Sequence, residues 1–271
     1  MKILKAGFLS SRLALGRDVK KIASNSGWLV LDRLVRLGGG LVLSVILARY
    51  LGPDKFGILS YALSVVAFLG AFVYLGLSGL VVREVVQKPG ENHLTLGATF
   101  GLKSAGALLA YFIVLGLAFL SKGSKLEFLT LLIVGLALFF RPFDTIDFWF
   151  QSRVQSRFTV LARISGFVLS ALVKVGLVAG GAGLVPLAMA GSLEFFLSAC
   201  FLVLVYRLQG NSILKWKFSL KRAGQLLGRS WILLLSGFLG LVYLKVDQIM
   251  LRWLKGPEEV GIYSVASMLS E

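Results

Sequence analysis

Ionisable side chains recur inside stretches that are otherwise apolar, and their spacing is helical. Between residues 26 and 50, Ser26, Arg33, Arg36, Gly40 and Ser44 fall within a band of ~80° on a helix projected at about 100° per residue. Asp32 stands at the edge of that band, four residues before Arg36, a spacing that favours an ion pair. Arg163 and Lys174 are eleven residues apart and so differ by only ~20° in phase, with Gly166 and Ser170 near the same line. Arg141, Asp144, Asp147 and Gln151 form a third polar run, in which Arg141 and Asp144 can pair at i, i+3. Glu194, Lys245 and Asp247 complete the set, and Lys103 sits where its ammonium can snorkel to an interface.

The chemistry these groups suggest is recognition of an anion. A guanidinium keeps its charge and grips a phosphate through two parallel N–H donors. Arg33, Arg36, Arg163 and Lys174 are therefore read as cations lining a wet cavity for a phosphate-bearing substrate. Asp32, Glu194 and Asp247 are read as lumenal or ion-coupling carboxylates, Glu194 as one that could carry a proton. The competing reading is internal ion pairing, Asp32 with Arg36 and Arg141 with Asp144, which would only hold helices together; for Arg141, Asp144 and Lys103 that structural role is preferred. His93 falls at a loop and reads as an interface residue. No metal-ligand spacing, phosphate-cradling glycine loop after a strand, or nucleophile with a plausible base is present, so neither an enzyme nor a metal or other cofactor is expected.

Composition fixes the elements that must position these residues. Of 271 residues, 57% are hydrophobic and 15% charged, and the mean hydropathy is +0.84. Runs of about 18 or more apolar residues can cross a hydrocarbon core of about 30 Å as helices. Spans are expected at roughly 26–50, 57–82, 94–120, 127–150, 158–180, 184–206 and 229–252, with an eighth from about 259. The 31 glycines suit helices packed closely in lipid. The net charge of +16 reads as membrane orientation and contact with anionic lipid headgroups rather than nucleic-acid binding, because no soluble aromatic-basic domain carries it. With the N-terminus inside, inner segments hold 16 of the 29 basic residues and outer segments 6, a bias that supports a cytoplasmic N-terminus in the cell (inner) membrane. The lone Cys200 cannot make an intrachain disulfide.

One stretch occurs twice. Gly52-Pro53-Asp54-Lys55-Phe56-Gly57-Ile58 matches Gly256-Pro257-Glu258-Glu259-Val260-Gly261-Ile262 without a gap. Six spans separate the copies, so both enter the membrane in the same direction. The fold class that follows is an all-α polytopic membrane protein, a parallel repeat of six-helix bundles whose second bundle is incomplete, with about seven to eight transmembrane helices present. Its parts are a cytoplasmic amphipathic segment at 1–24, a six-helix lobe at 25–206, a basic cytoplasmic linker at 207–228 and the start of a second lobe at 229–271. Gly52, Pro53, Gly57, Gly256, Pro257 and Gly261 are then structural turn residues.

Ser230-Trp231-Ile232-Leu233-Leu234-Leu235-Ser236-Gly237, Tyr243-Leu244-Lys245-Val246-Asp247-Gln248-Ile249 and Gly261-Ile262-Tyr263-Ser264-Val265-Ala266 resemble the polysaccharide-biosynthesis flippases of the multidrug/oligosaccharidyl-lipid/polysaccharide superfamily. Leu47-Ala48-Arg49-Tyr50-Leu51-Gly52-Pro53, Tyr74-Leu75-Gly76-Leu77 and Asp147-Phe148-Trp149-Phe150-Gln151 are similar to their first half. The resemblance implies two lobes around a cavity that opens alternately to either face. It implies a lipid-linked oligosaccharide as substrate, an undecaprenyl-pyrophosphate glycan carried from the inner to the outer leaflet for surface polysaccharide such as O-antigen, and a possible association with polysaccharide-assembly proteins. Ile232 stands where relatives often have Pro, and the last four or so helices of the family are absent from this chain. Two alternatives follow: a drug or small-molecule exporter of the same superfamily, disfavoured for cationic drugs by the lumenal cations, and a transport-incompetent fragment or assembly partner.

Overall fold

Gly52 makes the sharpest break in the chain. The computed structural model describes the backbone of residues 2–121 and 123–270 and, within these, the side chains of all but residues 2–22, 241, 244 and 268–270. Helix α1 (Lys2–Tyr74) is interrupted at Gly52, whose φ of 73° and ψ of 171° suit a residue without Cβ. Pro53 then opens the second arm of α1, where its missing N–H costs nothing. Gly256 repeats the device with φ of 103°, and Pro257 begins α9 (Pro257–Ser270) with Glu258 and Glu259 in its first turn. Acids there complement the helix dipole.

Between these breaks lie α2 (Leu77–Gln87), α3 (Asn92–Leu120), α4 (Lys125–Gly135), α5 (Thr145–Ser152), α6 (Ser156–Ala179), α7 (Leu184–Leu208) and α8 (Leu220–Leu254), with short 3₁₀ segments at Pro89–Glu91, Leu136–Asp144 and Ile213–Lys215. The described residues form helices and no strand, as lipid demands of a chain that must satisfy its own backbone groups. This is an all-helical, multi-pass membrane protein.

Five helical stretches are long and apolar enough to cross a membrane, and α8 makes a sixth if its limbs Leu220–Gly240 and Lys245–Leu254, bent by 53°, form one span. The expected count was seven to eight. The difference lies mainly in Ala23–Gln87, one stretch of 65 residues. At about 1.5 Å per residue it is roughly three times the hydrocarbon thickness, which leaves room for both expected spans on either side of Gly52. Helix α9 has 14 described residues, too few to span alone. The backbone of residues 2–24 is helical and continuous with α1; the interfacial reading of that segment rests on side chains outside the described residues, as do Lys122 and Glu271.

The largest core joins both arms of α1 to α3, α4, α7 and Val260 of α9. A second packs α2, α3 and Phe148 of α5 against Ala223 and Leu226 of α8. A third joins α5, α6 and α7. The segment expected to be a basic linker is seated on the first half: Lys217 N donates to His93 O at 3.1 Å, and Trp216 Nε1 donates to the Tyr206 hydroxyl at 3.2 Å. Helix α8 begins inside it, at Leu220.

Candidate functional site

The break at Gly52 lets the first arm of α1 bring Asp32 and Arg36 to the same region as Tyr74, the last residue of the second arm. The 3₁₀ segment Leu136–Asp144, which contains Pro142, adds Arg141 and Asp144. With about three residues per turn, side chains at i and i+3 eclipse there, so both point one way. Helix α5 supplies Asp147, α6 supplies Arg163 and Lys174, α7 supplies Glu194 and Phe195, and α3 supplies Lys103.

Two cavities meet among these residues. The smaller, about 220 Å³, is lined by Asp32, Arg36, Tyr74, Arg141, Asp144, Arg163 and Phe195 among others. The larger, about 390 Å³ and mostly apolar, runs from Arg141, Lys174, Glu194 and Phe195 to Lys245, Gln248, Ser264 and Ser267. Arg141 and Phe195 belong to both.

The ionic groups are extensively paired. Arg163 meets Asp147 at 3.0 Å and Asp144 at 3.5 Å, and Gln151 donates to Asp147 at 2.9 Å. Arg36 meets Asp32 at 3.5 Å and Glu194 at 3.3 Å. Lys174 lies 3.7 Å from Glu194. Arg141 and Asp144 do not pair directly as their spacing suggested. The Tyr74 hydroxyl stands between them, accepting from Arg141 at 2.7 Å and donating to Asp144 at 3.0 Å. Arg141 also stacks on Phe195, 4.7 Å from the ring centre.

Lys103 does not snorkel. It is fully buried, with its ammonium 5.0 Å from the Tyr74 ring centre and 5.1 Å from that of Phe148, because α3 runs behind the 3₁₀ segment and covers it. Several buried polar atoms around the smaller cavity make no hydrogen bond among the described residues, among them Lys103 Nζ, Arg36 Nε, Arg141 Nε, Asp32 Oδ1 and Asp147 Oδ1. Such a concentration of unmet donors and acceptors marks a place for water or a polar ligand.

Arg33 is exposed and outside this set. It projects about 60° round α1 from Arg36, on the side of Gly40 and Ser44, which line the larger cavity. Ser170 and Gly166 face α7 rather than a cavity: Ser170 donates to Ala190 O at 2.7 Å, and a Cβ on Gly166 would crowd Ser198. Gly39 of the triple glycine lies against the Phe167 ring. Asp247 lies between α8 and α9, where it accepts from the Tyr263 hydroxyl and from Gln248 N, away from the ionic cavity. Tyr74, Phe195 and Lys103 escaped sequence reasoning as a group. The only available signal was Lys103, a charge mid-run; aromatic residues in apolar helices give none.

Outside the cavities, two buried carboxylates bind the first half to α8. Glu84 takes Arg222 at 2.8 Å and Arg229 at 2.6 Å, and Thr95 assists by accepting from Arg222 at 3.0 Å. Glu127 pairs with Arg252 near the other end of α8. The duplicated turns touch each other as well. A side chain on Gly57 would collide with the carbonyl of Pro257, and one on Gly261 with that of Pro53.

These features define a membrane-embedded helical bundle with a buried, charged cavity. Residues 22–271 match the family model described as polysaccharide biosynthesis protein, and the chain belongs to that family. It is 36% identical over 92 residues to the succinoglycan biosynthesis transport protein ExoT of Rhizobium meliloti (strain 1021); that match covers 34% of this chain and 18% of the relative. No solved structure matches the chain.

Proposed function

We propose that this chain forms the first lobe and the start of the second lobe of a flippase that carries a lipid-linked oligosaccharide from the inner to the outer leaflet, its N-terminus cytoplasmic. The observation that carries the reading is the ionic cavity: Arg36, Arg141, Arg163 and Lys174 gathered from three separate helical segments inside a membrane protein of a polysaccharide-biosynthesis family. Charges at membrane depth cost roughly 2.5–3.5 kcal/mol each on insertion scales, so such a set marks a substrate path more readily than a packing device. The role in transport that the name of the Rhizobium relative states points the same way.

In this mechanism the cations take the diphosphate of the lipid carrier, the larger cavity takes uncharged parts of the cargo, and the two halves rock about the Gly57–Gly261 contact to open one face at a time. Deleting the locus should accumulate lipid-linked sugar on the inner leaflet. The wild-type chain should restore export, whereas Arg36→Ala should not, and Arg33→Ala should restore it only in part. Equal rescue by Arg36→Ala, at equal protein abundance, would sink the cationic-cavity model.

A further inference from the structure

Resting on that reading, we infer that Glu194 is a resident counter-ion that the anionic group of the substrate must displace, and that it thereby sets the affinity of the cavity for a lipid diphosphate. Glu194 is shared by cations from two helices, Arg36 of α1 at 3.3 Å and Lys174 of α6 at 3.7 Å. Both distances exceed the roughly 2.7–2.9 Å of a tight charge-assisted hydrogen bond. The other carboxylates are held more firmly or locally. Asp147 has Arg163 and Gln151, Asp144 has Tyr74 and Arg163, and Asp32 sits on the same helix as Arg36. Among the described residues the Glu194 carboxylate pairs with those two cations, and it lines the larger cavity next to Phe195, which both cavities share.

Charge balance gives the direction. Among the described residues, six cations (Arg36, Lys103, Arg141, Arg163, Lys174, Lys245) stand with four carboxylates (Asp32, Asp144, Asp147, Glu194) around the two cavities. The set is therefore two positive charges in excess. A diester diphosphate carries one negative charge per phosphate, so with Glu194 in place a like charge stands against it at Arg36 and Lys174, the two cations that Glu194 already holds. Withdrawal of Glu194 removes that repulsion. Arg36 and Lys174 then face the phosphate oxygens, joined by the unpaired Nε of Arg141.

The test uses the purified chain in lipid nanodiscs with inorganic pyrophosphate as probe, read by calorimetry at low ionic strength. Glu194→Gln should bind pyrophosphate about ten-fold more tightly than wild type, as expected when one like charge close to an anion is removed. Arg36→Gln should weaken binding in both backgrounds. Farnesyl diphosphate should displace the probe and phosphatidylglycerol should not; equal displacement by phosphatidylglycerol would reassign the site to headgroups and overturn the inference. Unchanged or weaker binding by Glu194→Gln also overturns it while leaving the phosphate reading intact. If neither protein binds pyrophosphate, the phosphate reading itself fails. Should Glu194→Gln not fold, Glu194→Asp, too short to reach both cations, must show a smaller gain in the same direction, and no gain sinks the proposal.

Discussion

Lys103 is the residue whose position is hardest to explain by packing. Its ammonium is buried with no hydrogen-bond acceptor among the described residues; two aromatic faces lie against it, and Asp144 and Asp147 attract it without forming an ion pair. The aromatic contacts are worth about 2 kcal/mol when desolvated, less than the several kcal/mol that burying a charge costs. Lys103→Met, of similar shape, should therefore leave the unfolding midpoint unchanged or raised while abolishing export. A loss of more than about 2 kcal/mol in stability would make Lys103 structural instead. The charges inside the spans were legible in the sequence because an ionisable residue in an apolar run stands out. Their partners were not. Arg141 and Asp144 have the spacing of a direct pair, yet Tyr74, sixty-seven residues before Arg141 in sequence, stands between them, and nothing in either segment announces it.

At the level of elements, the repeated turns were legible both as turns and as copies, because glycine with positive φ followed by proline leaves few alternatives. That the copies pack on each other was not, since contact between α1 and α9 depends on the whole intervening chain. The contact is reciprocal: Gly57 faces the Pro257 carbonyl as Gly261 faces that of Pro53. An added methyl group has no flexible side chain to push aside, only backbone. Gly57→Ala and Gly261→Ala should each cost about 1–3 kcal/mol, the range for overpacking. The double variant should cost less than their sum, since the first methyl already separates the helices. Gly70→Ala, on the same arm of α1 with open space around it, is the control. Additive losses, or an equal loss at Gly70, would show that the close approach does not govern stability.

For the whole molecule, α8 is tied to the first half near both its ends, by Glu84 to Arg222 and Arg229 and by Glu127 to Arg252. Between the ties it bends by 53°, just after Gly237 and Gly240, residues that tolerate such a bend. Both carboxylates are buried, so each tie is costly to break from one side, about 3–5 kcal/mol. A bundle that opens one face at a time must release one tie while keeping the other. In the proposed orientation Glu127–Arg252 closes the outer face and Glu84–Arg229 the inner. Glu127→Gln should then shift the population outward-open, by an amount bounded by the lost pairing energy. A single cysteine at Ser64, which lines the larger cavity, reports this in a Cys200→Ser background. Labelling by a membrane-impermeant maleimide added from outside should be slow in the parent, faster with Glu127→Gln, and no faster with Glu84→Gln. Equal acceleration by both would mean that the ties only stabilise the bundle; no change with Glu127→Gln would mean that the outer tie does not control access to the cavity.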